Sequence, residues 1–174
     1  MSKRKGNIVM KHQKGFSFLE LLIALTIAAI LAAIAIPIFG NNGIDCNDPD
    51  ARLGYMERAR IANAQGVLGE IAIKADMFDL NYRRAPTSLA ELGLEERTDP
   101  WGNAYVFTSF EGMSGNGPKR KDHNMVPVNS YFDVYSMGPD GKTATPFTSI
   151  PGGDDIVVAG NGQYIGIACF YYTK

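Results

Sequence analysis

The most unusual residue in this sequence is Glu20, the fifth residue of an apolar run over residues 16–39. A carboxylate costs about 2.5–3.5 kcal/mol near the centre of a bilayer and less near its interface. An acid in that position calls for a cationic partner. Other titratable groups are scattered. The two histidines are His12, in a basic N-terminal stretch, and His123, in a charged one, and there is no HExxH, GxSxG or Walker pattern. Asp76 and Asp79 share a helix face with Lys74 nearby, as on a solvated surface. Lys119, Arg120 and Lys121 form a basic cluster within residues 112–124, a Gly- and Lys-rich stretch that reads as an exposed loop. Cys46 and Cys169 are too far apart for a CxxC metal or redox motif. No catalytic constellation emerges, and the sequence predicts that the protein is not an enzyme.

The elements that must position Glu20 come next. As a helix rising 1.5 Å per residue, residues 16–39 span roughly 36 Å, enough for a hydrocarbon core of about 30 Å. Lys3, Arg4, Lys5, Lys11 and Lys14 precede the run without an acid, so that flank stays cytoplasmic and the C-terminal part faces outward. The chain carries a net charge of −1, so the part after these five cations is acidic, which argues against nucleic acid. A secretory signal peptide, with Ala33-Ile34-Ala35 as its cleavage site, and a plain membrane anchor both fit the hydropathy. The run is long for a signal peptide, and neither gives Glu20 a role.

Pro37, Gly40-Asn41-Asn42-Gly43 and Asp48-Pro49 break the helix within a dozen residues, so an irregular insertion over residues 40–52 carries Cys46. A second helix is expected to begin near Asp50. Ile61, Ala64, Leu68, Ile71, Ala75, Phe78 and Tyr82 follow at steps of three and four, an amphipathic stripe suited to packing on a sheet. Residues 85–92 predict a short helical turn capped by Thr87 or Ser88. Asp99-Pro100-Trp101-Gly102-Asn103 is turn chemistry. Residues 104–110, 131–137, 156–159 and 164–172 read as strands. The expected class is α+β: an apolar helix interrupted after Pro37, then an amphipathic helix on an antiparallel sheet of three to four strands.

Lys14-Gly15-Phe16-Ser17-Phe18-Leu19-Glu20 resembles the processing site of the type IV pilin and type II secretion pseudopilin superfamily. The resemblance implies a basic leader, residues 1–15, cleaved after Gly15 by a membrane aspartyl peptidase. It also implies methylation of the new N-terminus at Phe16 and an acid at the fifth mature position, Glu20. Pro37 falls where that family commonly carries a proline. Cleavage would create an α-amine that a neighbouring subunit's Glu20 could meet in a staggered filament. The blocks 99–105, 135–142 and 154–156 follow each other much as in the major pseudopilin of type II secretion. The implied organisation is a leader, a membrane and filament-core helix over 16–39, the 40–52 insertion, and a pilin-like α+β domain over 53–174.

In the major pseudopilins the corresponding loop folds about a calcium ion. The resemblance therefore implies a structural Ca²⁺ held by Asp140 and one or both of Asp154 and Asp155, although a β-turn at Pro139-Asp140-Gly141 explains the same residues without metal. If the domain faces the periplasm, a Cys46–Cys169 disulfide would hold the insertion to the last strand, against the alternative of two buried thiols. The implied partners are copies of the same chain in a homopolymer, the prepilin peptidase and methyltransferase, an inner-membrane assembly platform and minor pilins. The implied location is the inner membrane, with the domain in the periplasm, and afterwards a periplasmic or cell-surface filament. A secretion pseudopilus and a surface pilus both remain open. So does a membrane-anchored periplasmic binding domain that never polymerises.

Overall fold

The computed structural model describes residues 16–38, 43–48, 53–95 and 97–171. The leader with its cleavage residue Gly15, most of the first breaker cluster and the expected helix start at Asp50 lie outside the described residues. The chain divides into two units, one ending at Pro37 and one beginning at Ile38.

The first unit holds all but the last residue of α1, Phe18–Ile38. The run Leu-Leu-Ile-Ala-Leu-Thr-Ile-Ala-Ala-Ile favours helix by unbroken hydrogen bonding without a polar face, and α1 is long and apolar enough to cross a membrane. Pro37 cannot donate to the helical ladder, and it lies one residue before the last described residue of α1.

The second unit begins its regular structure at α2, Tyr55–Tyr82. The predicted stripe is the buried face: Ile61, Ala64, Leu68, Ile71 and Ala75 are buried, joined by Ala72, while Phe78 is half-buried and Tyr82 exposed. Four strands form an antiparallel meander in the order β1 (Val106–Ser109), β2 (Phe132–Ser136), β3 (Ile156–Ala159), β4 (Tyr164–Ile167). All four are where the pattern placed them, but the last is shorter than the expected 164–172. After Ile167 the chain tightens into a 3₁₀ turn, Ala168–Phe170, which carries Cys169.

Alternation in β2 and β3 builds two cores. Val134, Ile156 and Val158 meet Ile61, Leu68 and Ile71 of α2. On the other face Val157 and Ala159 pack with Val128, Phe147 and Ala168, beneath the loop that runs from β2 back to β3. That loop contains a single helical turn, α3, Ile150–Gly153. Gly69 of α2 lies against β4, where an added Cβ would meet Ile165 Cδ1 at an ordinary contact distance of 3.5 Å. The Gln65 side chain donates to the Ile165 carbonyl at 3.1 Å beside it. The short turn is Ala90–Leu92, and neither Thr87 nor Ser88 caps it through a side chain. Instead the Thr87 N–H donates to Glu91 Oε2 at 2.8 Å, and the Arg84 guanidinium grips the same carboxylate.

Candidate functional site

At the start of α1, Phe16 is 85% exposed and Ser17 sits at the position before the first helical turn. The Glu20 carboxylate accepts the Ser17 N–H at 3.4 Å. Ser17-x-x-Glu20 is the spacing of a capping box, in which an acid at the third helical position returns to an otherwise orphaned backbone donor. The acid thus has a task inside its own chain, one that the Ser-x-x-Glu spacing signals. Phe18, Leu19, Leu21, Leu22 and Ile23 are exposed around it.

The expected bridge is present: Cys46 and Cys169 form a disulfide across 123 positions of sequence, with Cα atoms 5.7 Å apart. It pins residues 43–48 to the 3₁₀ turn after β4, and Ile44 packs on the α2 side of the sheet. Gly153 makes room for it, because a Cβ there would lie 2.9 Å from Cys46 Sγ.

A polar lock joins the blocks at 99–105 and 135–142. Asp99, buried, accepts the N–H groups of Trp101 and Asn103 at 3.0 and 2.8 Å through Oδ1 and the Ser136 hydroxyl at 2.6 Å through Oδ2. The Gly138 N–H donates to Ser136 Oγ at 3.1 Å. Trp101 Nε1 in turn donates to Glu57 Oε1 at 2.9 Å, and the Glu57 side chain is fully buried on α2. Glu57 lies one step before Ile61 on the apolar stripe, a position the sequence reading passed over because the residue is charged. Glu57→Ala leaves the indole donor unpaired, and a urea melt should show a loss of about 1–3 kcal/mol.

Of the acids expected to hold calcium, Asp140 and Asp154 share one cleft and Asp155 does not. Asp140 and Asp154 line a cleft of about 430 Å³ with Asp45, Cys46 and Ile150. Burial, and then the neighbouring Asp140, push the Asp154 carboxyl up to about 6. Its Oδ1 atom is buried without a hydrogen-bond partner. Asp140 Oδ1 accepts the Lys142 N–H at 2.7 Å. Asp155 lies outside the cleft, fully buried, with Oδ2 accepting Arg120 Nη2 at 2.5 Å and Thr143 Oγ1 at 2.6 Å. Burial pushes its carboxyl upward against the pull of Arg120. Among the described residues no group of three or more His, Cys, Asp or Glu side chains could hold a metal ion. Asp155 is taken by Arg120 and Thr143, so of the expected acids Asp140 and Asp154 alone face the cleft. Arg120 also departs from expectation. Read as part of an exposed loop, it has a side chain only 4% exposed.

An apolar helix led by a capped acid, followed by an α+β domain of one long helix on a four-stranded antiparallel sheet, defines a pilin-like chain. The model of the prokaryotic N-terminal methylation motif matches residues 10–36. The type II secretion system core protein G of Pseudomonas aeruginosa is 26% identical over 155 residues, covering 76% of this chain and 87% of that protein. Its namesake in Dickeya chrysanthemi is 24% identical over 140 residues, with 78% and 83% covered. The type IV major alpha-pilin of Moraxella bovis is 29% identical over 117 residues, with 62% and 65% covered. No solved structure matches the chain. The chain thus carries the N-terminal methylation motif and is similar, over most of its length, to the core protein G of type II secretion.

Proposed function

We propose that this protein is a structural subunit of a type IV pilus-like or type II secretion pseudopilus filament, acting by assembly and not by catalysis. It is made as a membrane precursor with its domain in the periplasm, cleaved after Gly15 and methylated at Phe16. It then polymerises through α1 with the help of an inner-membrane platform and minor pilins. The observation that carries this reading is the coincidence of the methylation motif at residues 10–36 with an apolar helix whose one acid, Glu20, lies four residues after Phe16. Once Gly15 is removed, the Phe16 amine and Glu20 are opposite charges at the same end of α1, and a staggered neighbour can pair them. Extensive apolar contact between helices supplies cohesion, and the ion pair supplies register.

The mass of the protein purified from membranes tests the processing. The expected mass lacks residues 1–15 and carries one added methyl group. An intact N-terminus would instead favour a membrane-anchored domain that stays monomeric. Between the two filaments, the relatives named core protein G support a secretion pseudopilus. Electron microscopy separates that short periplasmic form from a long surface pilus.

A further inference from the structure

We infer that the Arg120 guanidinium is the structural cation of the loop between β2 and β3, filling the part that the resemblance gives to calcium. A calcium ion closes such a loop by gathering roughly six to eight oxygens from its two ends. Here a side chain of the protein itself gathers the ends. Arg120 Nη1 donates to Thr143 Oγ1 at 2.6 Å, near the start of the loop. Nη2 donates to Asp155 Oδ2 at 2.5 Å and to the Gly152 carbonyl at 3.5 Å, at its finish. The Thr143 hydroxyl passes its own proton toward Asp155 at 2.6 Å, so the three groups form a closed triangle. The guanidinium also lies over two rings, 4.3 Å from the Tyr135 centroid and 5.1 Å from that of Phe147. A planar, weakly hydrated cation suits both the fork and the neighbouring rings, and lysine lacks the fork.

The backbone delivers Arg120 to this place. Its N–H donates to Asp133 Oδ2 at 2.6 Å, on β2. The next residue exchanges bonds with the loop, Lys121 N–H to the Thr145 carbonyl at 3.0 Å and Phe147 N–H to the Lys121 carbonyl at 2.9 Å. Charge balance favours the same assignment. The buried guanidinium pairs directly with the buried Asp155 carboxylate, and a divalent ion at Asp155 would take that partner from it. Asp155 Oδ2 is already taken by the guanidinium and the Thr143 hydroxyl, so it is not free to enter a calcium shell.

The full-length protein in detergent micelles tests this directly. Its thermal midpoint should be the same in EDTA and in millimolar CaCl₂, and calorimetric titration with Ca²⁺ should give no binding heat. Arg120→Lys and Arg120→Gln should each lower the midpoint in both buffers and make the bond after Lys142 the first to be cut by trypsin. A rise in the wild-type midpoint on adding Ca²⁺, or binding heat at any stoichiometry, would overturn the assignment, and this holds even if neither variant folds. Variants that fold and keep the wild-type midpoint and cleavage pattern would overturn it equally.

Discussion

Glu20→Ala should leave the protein inserted and processed while its filaments fall by two orders of magnitude or more. After cleavage the Phe16 amine enters an apolar helix bundle, and a buried charge stripped of its partner costs about 3–5 kcal/mol. At about 1.4 kcal/mol per factor of ten, that is roughly a hundred-fold to several thousand-fold in the constant for adding a subunit. The capping contact to Ser17 offers a competing cause, worth about 0.5–2 kcal/mol to the helix. Glu20→Gln separates the two, because glutamine keeps the acceptor of a capping box and loses the charge. It should assemble as poorly as the alanine variant. Immunoblots of sheared and cell-bound fractions measure this, and a glutamine variant with wild-type filament yield would assign Glu20 to capping alone.

The second large effect is expected from removing the disulfide. Cys46→Ser with Cys169→Ser opens a loop of 123 positions, and the chain-entropy account puts the loss at about 4–5 kcal/mol. That is a large share of the stability of a domain this size. The loss should be local as well as global. Residues 43–48 keep the packing of Ile44 but lose their covalent tie to the 3₁₀ turn. Hydrogen exchange in that segment should accelerate beyond the change at Leu68 and Ile71 in the core of α2. A denaturant melt that did not move would mean that non-covalent contacts alone hold the insertion.

The helices and strands were readable because their signals are local. The stripe from Ile61 to Ala75 fixes which face of α2 is buried, and the unbroken apolar run from Phe18 fixes α1 as a helix. Groups whose environment is made by distant residues were not readable. Arg120 sits in a basic triplet that looks solvated, yet its partner is Asp155, 35 residues away and brought beside it by the sheet. Glu57 is a charge on an apolar stripe, and its reason for being there is an indole 44 residues on. The acid triplet carried a partial warning, since adjacent side chains entering a strand point to opposite sides. Asp154 turns to the cleft with Asp140, and Asp155 turns inward, so the adjacent acids serve different surroundings. The short fourth strand has a similar cause. The chain leaves the sheet after Ile167 to bring Cys169 to Cys46, a pairing that strand propensity cannot express.

Electron microscopy of material sheared from cells that express the protein, labelled with gold-tagged antibody to the globular domain, tests the central claim most directly. The account predicts filaments decorated along their whole length, absent from cells carrying Glu20→Gln. Label confined to membrane fragments, with no filament in wild-type cells overproducing the protein and its assembly machinery, would contradict it.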